Sequence, residues 1–211
     1  MDERIRFGVA RGIMMNLNRD DRIQRLLGLE EREIHGAFRE FATGSEIFAD
    51  IGASDGYYGL VYYKWNPKGI IFLCDSDHKF PPLQRKNFLL NNFPMDKVSI
   101  ISKYVCDFSD NEHIALEDPL AGEKGEIFMK IDVDGGELIV LKGVKRLLES
   151  RKCKLIVETH SKELENDCKA FLVGLDYRVV IIPNAWWRFF IPEKRPIAHN
   201  RWFRAENSRP S

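Results

Sequence analysis

An α/β fold is predicted for this chain: a mostly parallel seven-stranded sheet whose last two strands are an antiparallel pair, with helices on both faces and further helices at the N-terminus. Three observations predict it. From Glu46 onward, short apolar runs alternate with amphipathic stretches, the pattern of strand–helix repeats. The runs are apolar throughout rather than alternating, as strands covered on both faces are. The last two runs have no helix-length segment between them, and without a crossover they read as antiparallel.

In chain order, residues 1–43 place Ile23, Leu26, Leu27, Ile34 and Phe38 at helix-like spacing. This predicts an N-terminal helical segment, broken near Gly28 and packed on the main body. Residues 44–211 form the main part of what reads as a single domain. Its strand candidates are 47–52, 69–75, 98–105, 126–133 and 154–160, then the pair 177–183 and 201–206. Helix candidates lie near 55–65, 79–92, 136–149 and 161–173. Tyr58, Tyr62 and Trp65 recur at helical spacing and read as core. Trp186, Trp187, Phe189 and Phe190, between the last two strands, read either as a lid over a substrate or as a homodimer contact.

The chain's 211 residues, 44% hydrophobic, suffice for one buried core. Lysine plus arginine equals aspartate plus glutamate, 32 each, so the basic excess that pairs with phosphates is missing and no nucleic-acid partner is expected. Cys74, Cys106, Cys153 and Cys168 show no CxxC spacing and read as reduced, buried thiols. The opening MDERIRFGVARG lacks an apolar stretch, and no window is long enough to span a bilayer. A cytoplasmic location, away from membranes, is the expectation.

Function starts from the loop after the first main strand, Asp50-Ile-Gly52-Ala-Ser54-Asp-Gly56. In open α/β sheets ligands bind at the carboxyl ends of strands, and glycines let backbone approach them closely. A P-loop needs Lys-Ser/Thr after its glycines, and Tyr57-Tyr58 follow here. A dinucleotide fingerprint fails at its second glycine, where Ser54 stands. S-adenosylmethionine carries a sulfonium and no phosphate, and Asp50 at the strand end suits such a cation. Asp75, 25 residues beyond Asp50 at the end of the second strand, is placed to accept both ribose hydroxyls and is preferred to Asp77. Asp107, after the third strand, is a candidate for the adenine amino group.

The stretch IFMKIDVDGGELIVLKG, residues 127–143, resembles the signature of FkbM-type S-adenosylmethionine-dependent methyltransferases, Lys-Ile-Asp-Val-Glu-Gly-x-Glu followed by Leu-Lys-Gly. Here it reads Lys130, Ile131, Asp132, Val133, Asp134, Gly135, Gly136, Glu137, then Leu141, Lys142 and Gly143. Asp134 replaces the usual Glu, and Cys-Asp-Ser-Asp stands where the family commonly has Glu-Pro. Asn87 and Asn91, and the closing HNRWFRAE, are also similar to the family. The resemblance covers roughly residues 46–206. It implies the seven-stranded Rossmann-like methyltransferase sheet, S-adenosylmethionine as cofactor, and methylation of hydroxyl oxygens on sugars or other small molecules.

In the sheet order that this implies, Asp132 ends the strand beside the first, near the methyl group. Glu158 and His160 end the next one out. A neutral alcohol must lose its proton as it attacks, and His160 is the first candidate for base because imidazole titrates near neutrality. Asp132 is read alternatively as a ligand of the donor's ammonium or of the acceptor. Lys130, inside an apolar strand on the same face as Asp132, needs a charged partner, with Asp50 and Glu158 the candidates. Asp132, Asp134, Glu137 and Glu158 are expected to serve a cationic donor rather than a metal ion. The reading from another class is a non-catalytic domain of this fold that binds a nucleoside or a protein.

Overall fold

The computed structural model describes residues 1–17, 19–184 and 201–207. The chain opens with two short strands, β1 (Asp2–Arg4) and β2 (Met14–Asn16), then helices α1 (Arg19–Leu26) and α2 (His35–Thr43). The main body begins with β3 (Ile47–Ile51), α3 (Tyr57–Trp65), β4 (Ile70–Cys74), α4 (Phe80–Leu90) and β5 (Val98–Ile101). Two short strands, β6 (Tyr104–Cys106) and β7 (His113–Ala115), and α5 (Glu117–Leu120) follow. The chain continues through β8 (Ile127–Ile131), α6 (Glu137–Gly143), α7 (Lys145–Ser150) and β9 (Cys153–Thr159), then α8 (Lys162–Val173), β10 (Tyr177–Ile182) and β11 (Arg201–Asn207).

Seven strands form one sheet in the order β10-β11-β9-β8-β3-β4-β5. Pairing from β9 to β5 is parallel, and β11 runs antiparallel to both its neighbours. The predicted fold class is the observed one. The central strands are covered on both faces because both of their sides carry apolar residues. Ile47, Ala49 and Ile51 of β3 join Ile127, Met129 and Ile131 of β8 under Leu141, Leu148 and Leu172 of the C-terminal helices. The intervening Phe48 and Phe128 face Phe38, Phe41, Tyr58 and Tyr62 on the other side. There Phe48 stacks on Tyr62 at 4.8 Å between ring centres, so the helix-spaced tyrosines are core, as their periodicity indicates.

Three expectations are corrected. The N-terminal segment is helical only from Arg19; residues 2–16 form the β1–β2 pair. That pair is held by distant amides: Asn91 Oδ1 accepts from Met14 N and Asn87 Oδ1 from Asn16 N, both at 2.8 Å. The run 98–105 is not one strand. It leaves the main sheet after Ile101, and Tyr104–Cys106 pairs instead with His113–Ala115. The helix predicted near 136–149 bends at Val144 into α6 and α7. A Cβ on Gly143 would stand 2.6 Å from the Cys106 carbonyl carbon, so the glycine lets α6 lie against β6. The aromatic cluster Trp186–Phe190 lies outside the described residues.

β11 is pinned to α8 by a forked ion pair. Arg201 Nε and Nη2 donate to Glu165 at 2.5 and 2.7 Å, and Glu165 is 1% exposed. The Arg201 contact lowers the Glu165 carboxyl to about 2, so this stabilisation is full above the ordinary carboxyl value and is lost as pH falls toward 2. We expect Glu165→Gln to cost about 1 kcal/mol at pH 7, discounted because Arg201 is partly open to water. It should also flatten the acid limb of stability below about pH 4.5, measured by urea unfolding across pH.

Candidate functional site

At the carboxyl edge of the sheet, strand register brings charged side chains to one face. Asp50 of β3 lies opposite Lys130 of β8, and Lys130 opposite Ile156 of β9. Strand alternation then puts Asp50, Lys130, Asp132 and Glu158 on the face that carries Phe48, Phe128 and Ile156. Asp50 and Glu158 are each 1% exposed and Lys130 is 2%.

Lys130 is the single ammonium in this group. Its Nζ lies 3.1 Å from Asp132 Oδ2 and 3.7 Å from Glu31 Oε2. It also sits 4.7 Å from the ring centre of Tyr58 and 4.9 Å from that of Trp202. The expected direct partners, Asp50 and Glu158, are therefore corrected to Asp132 and Glu31. Burial opposes the charge of Lys130, yet Asp132, Glu31, Asp50 and Glu158 hold its pKa above the usual lysine value. Glu31 arrives from the N-terminal segment with φ of 47°, a left-handed conformation uncommon for a residue with a side chain. Sequence reasoning missed it, because no periodicity marks a residue placed by a strained turn.

One ammonium does not neutralise four carboxylates. Burial, reinforced by Asp132, Glu31 and Asp75, raises the Asp50 carboxyl to about 7. Burial likewise raises Glu31 to about 7, and burial with the Asp132 charge lifts Glu158 well above its ordinary value.

His160 follows β9 and is held from below. Its Nδ1–H donates to Oε1 of Glu137, the first residue of α6 and wholly buried. The Nε2 atom stands 3.3 Å from Asp134 Oδ1 and 3.8 Å from Asp132 Oδ1. Burial alone would lower the His160 pKa, but the Glu137 hydrogen bond and the charges of Asp132, Glu137 and Asp134 raise it. Its side chain is 8% exposed, unlike that of a polar loop histidine. Asp132, Glu158 and His160 each present one ligand atom, all within 4.8 Å of one another.

The glycine loop runs beside this group. Gly52, Ser54 and Gly56 have φ of 85°, 46° and 83°. A Cβ on Gly52 would lie 1.8 Å from the Asp132 carbonyl oxygen, so this glycine is required by packing against the end of β8. Asp75 organises the loop: its Oδ2 accepts from Ser54 N at 2.8 Å and its Oδ1 from Asp77 N at 2.9 Å. Each oxygen keeps a second lone pair for a ligand hydroxyl. Asp77 pairs with exposed Lys79, on the solvent side. Gln84 Nε2 donates to Ser54 O, and Asn87 Nδ2 to Asp55 O, so α4 fixes the loop from the other flank. Asp107 is exposed after β6. It lines a cavity of about 410 Å³ with Phe108, Lys142 and Arg146, and no residue of the glycine loop lines that cavity.

Among known proteins, residues 110–179 match the model of the Methyltransferase FkbM domain, in agreement with the signature read at 127–143. No curated protein matches the chain. An S-adenosylmethionine-dependent O-methyltransferase from Thermotoga maritima is similar in structure, with TM-score 0.58, 12% identity, and coverage of 94% of this chain and 74% of that one. The human methyltransferase 10 domain containing protein gives 0.61, 14%, 94% and 90%. A Streptococcus pneumoniae protein described as a "putative tRNA (m1A22) methyltransferase", in complex with S-adenosyl-L-methionine, gives 0.54, 13%, 86% and 74%. The chain thus has the Rossmann-like fold of S-adenosylmethionine-dependent methyltransferases. That the last is described as acting on tRNA leaves the expected absence of a nucleic-acid partner unsupported. No helix among the described residues is long and apolar enough to cross a membrane.

Two outcomes follow from the geometry. Gly52→Ala should destabilise the fold by on the order of 3 kcal/mol, through left-handed strain and overlap with the β8 end, read by thermal unfolding. Because the Asp50 carboxyl is raised to about 7, the folded state holds a proton that the unfolded chain has already lost. Stability of the ligand-free protein should therefore fall as pH rises from about 4 to about 7. Asp50→Asn should remove on the order of 2–4 kcal/mol of that difference between pH 4 and pH 8, measured by urea titration at both values.

Proposed function

We propose that this chain is an S-adenosylmethionine-dependent methyltransferase that methylates a hydroxyl oxygen of a small molecule or saccharide. The observation that carries this reading is the buried acid group with one lysine beside a glycine loop at the carboxyl edge of the sheet. Such a site is short of positive charge, and a sulfonium with its α-ammonium supplies it. In this reading the loop from Asp50 through Gly52, Ser54 and Gly56 lies along the donor, and Asp75 holds the ribose. Asp107 is kept as the adenine contact on sequence grounds alone.

Transfer is an in-line displacement. The acceptor oxygen forms the new bond to the methyl carbon, the carbon–sulfur bond breaks, and its electron pair stays on sulfur, leaving a neutral thioether. The hydroxyl proton passes to the group formed by Asp132, Glu158 and His160. Alignment supplies most of the acceleration, because the leaving group is already activated.

The test is calorimetric titration with S-adenosylmethionine. Binding is expected in the wild type, and absence of heat in a folded protein would favour the non-catalytic reading. Asp75→Ala should weaken donor binding by about 1.5–3 kcal/mol, and a larger effect of Asp77→Ala would reassign the ribose. Once an acceptor is in hand, His160→Ala should lose on the order of 10²–10⁴-fold in turnover with donor affinity nearly unchanged.

A further inference from the structure

We propose that Asp132, Glu158 and His160 form a binding site for a divalent first-row metal ion, of which Mn²⁺ is the probe of choice. The inference deepens the proposed methyltransferase reading by giving the acceptor side of the pocket a cation of its own. It rests on four observations. The three ligand atoms lie within 4.8 Å of one another, and atoms sharing an ion at about 2.1 Å stand roughly 3–4 Å apart, so small side-chain rotations close the site. Two of those residues aim buried atoms at it that make no hydrogen bond, Glu158 Oε2 and His160 Nε2, the latter with Asp134 Oδ1 3.3 Å away as a further oxygen at the site. Glu158 is 1% exposed and the His160 side chain 8%.

The third observation is the division of labour on Asp132. Its Oδ2 is engaged by Lys130 at 3.1 Å, while Oδ1 faces His160 Nε2 at 3.8 Å, so the lysine and an ion would use different oxygens. The fourth is the support behind the histidine. Glu137, wholly buried, accepts from Nδ1–H, which fixes the tautomer and leaves the Nε2 lone pair directed at the acids. A carboxylate behind an imidazole in this way is the usual outer partner of a histidine that ligates a metal.

Two carboxylates and one imidazole balance a divalent charge. One nitrogen in the set favours Mn²⁺, Fe²⁺ or Zn²⁺ over Ca²⁺ and Mg²⁺, which prefer oxygen alone. Three protein ligands leave a position open, as at catalytic rather than structural sites, and an acceptor hydroxyl bound there would be polarised toward loss of its proton. His160 would then serve as a ligand, and the base assigned to it from sequence would give way.

The experiment is Mn²⁺ binding to the full chain, stripped with chelator, followed by calorimetry and electron paramagnetic resonance. Binding of one ion per chain is expected, with nitrogen hyperfine coupling from a single imidazole in the pulsed spectrum. Glu158→Gln and His160→Ala should each weaken binding at least 10-fold. Glu137→Gln should weaken it about 10–100-fold, the cost of losing an outer partner. No binding, binding without the nitrogen coupling, or unchanged affinity in folded His160→Ala would each overturn the site. The nitrogen signal is read on wild-type protein and needs no variant to fold. Donor binding is titrated separately with chelator present: loss of the donor heat alone sinks the methyltransferase reading, and loss of the Mn²⁺ signal alone sinks only the metal.

Discussion

The interior of this site turns on a single buried ammonium. Lys130 sits in the fourth strand of the parallel succession, directly across from Asp50, and two residues before Asp132. Without it, Asp50, Asp132, Glu158 and Glu31 would have no fixed counter-charge among them, and burying carboxylates unpaired is costly. With it, the group is held together but under-neutralised. Asp50 and Glu31 titrate near 7 rather than near 4, so at neutral pH the folded protein works against its own charge. A cationic ligand bound there would relieve that tension, so affinity for such a ligand and instability without it would be two sides of one arrangement.

Much of this was legible in the sequence. Five of the seven main strands stood out as apolar runs, and the antiparallel closing pair because no crossover fits between its members. Asp50, Asp132, Glu158 and His160 were legible as candidates because the carboxyl ends of strands are where α/β sheets present side chains. What was not legible depends on contacts distant in sequence. The β1–β2 pair is held in place by Asn87 and Asn91, more than 70 residues away, and three-residue strands carry no periodicity of their own. Glu31 reaches Lys130 through a left-handed turn. Glu137 was visible as an acid, but its partnership with His160, 23 residues on, follows from how α6 packs beneath the end of β9. Asp107 was placed at the end of a strand that in fact stops at Ile101.

Gly52 shows how a correct position can carry an incomplete reason. A glycine after the first strand was read as room for a ligand, yet the nearest atom it must avoid is the carbonyl of Asp132. The same carbonyl's residue donates its N–H to Ile51 O at 2.9 Å. The glycine loop and the fourth-strand acids therefore meet in one close-packed junction, which would suit a reaction whose rate depends on alignment.

The placement of β11 has a kinetic consequence. β10 touches the main sheet through β11 alone, which lies between it and β9. On a growing chain β10 is made first and has no strand to pair with until β11 emerges and inserts. During that interval the outer edge of β9 is an open row of backbone donors and acceptors. Between Lys154 and Glu158 that edge is apolar, Leu155, Ile156 and Val157, so until β11 inserts it is open to pairing with the wrong neighbour.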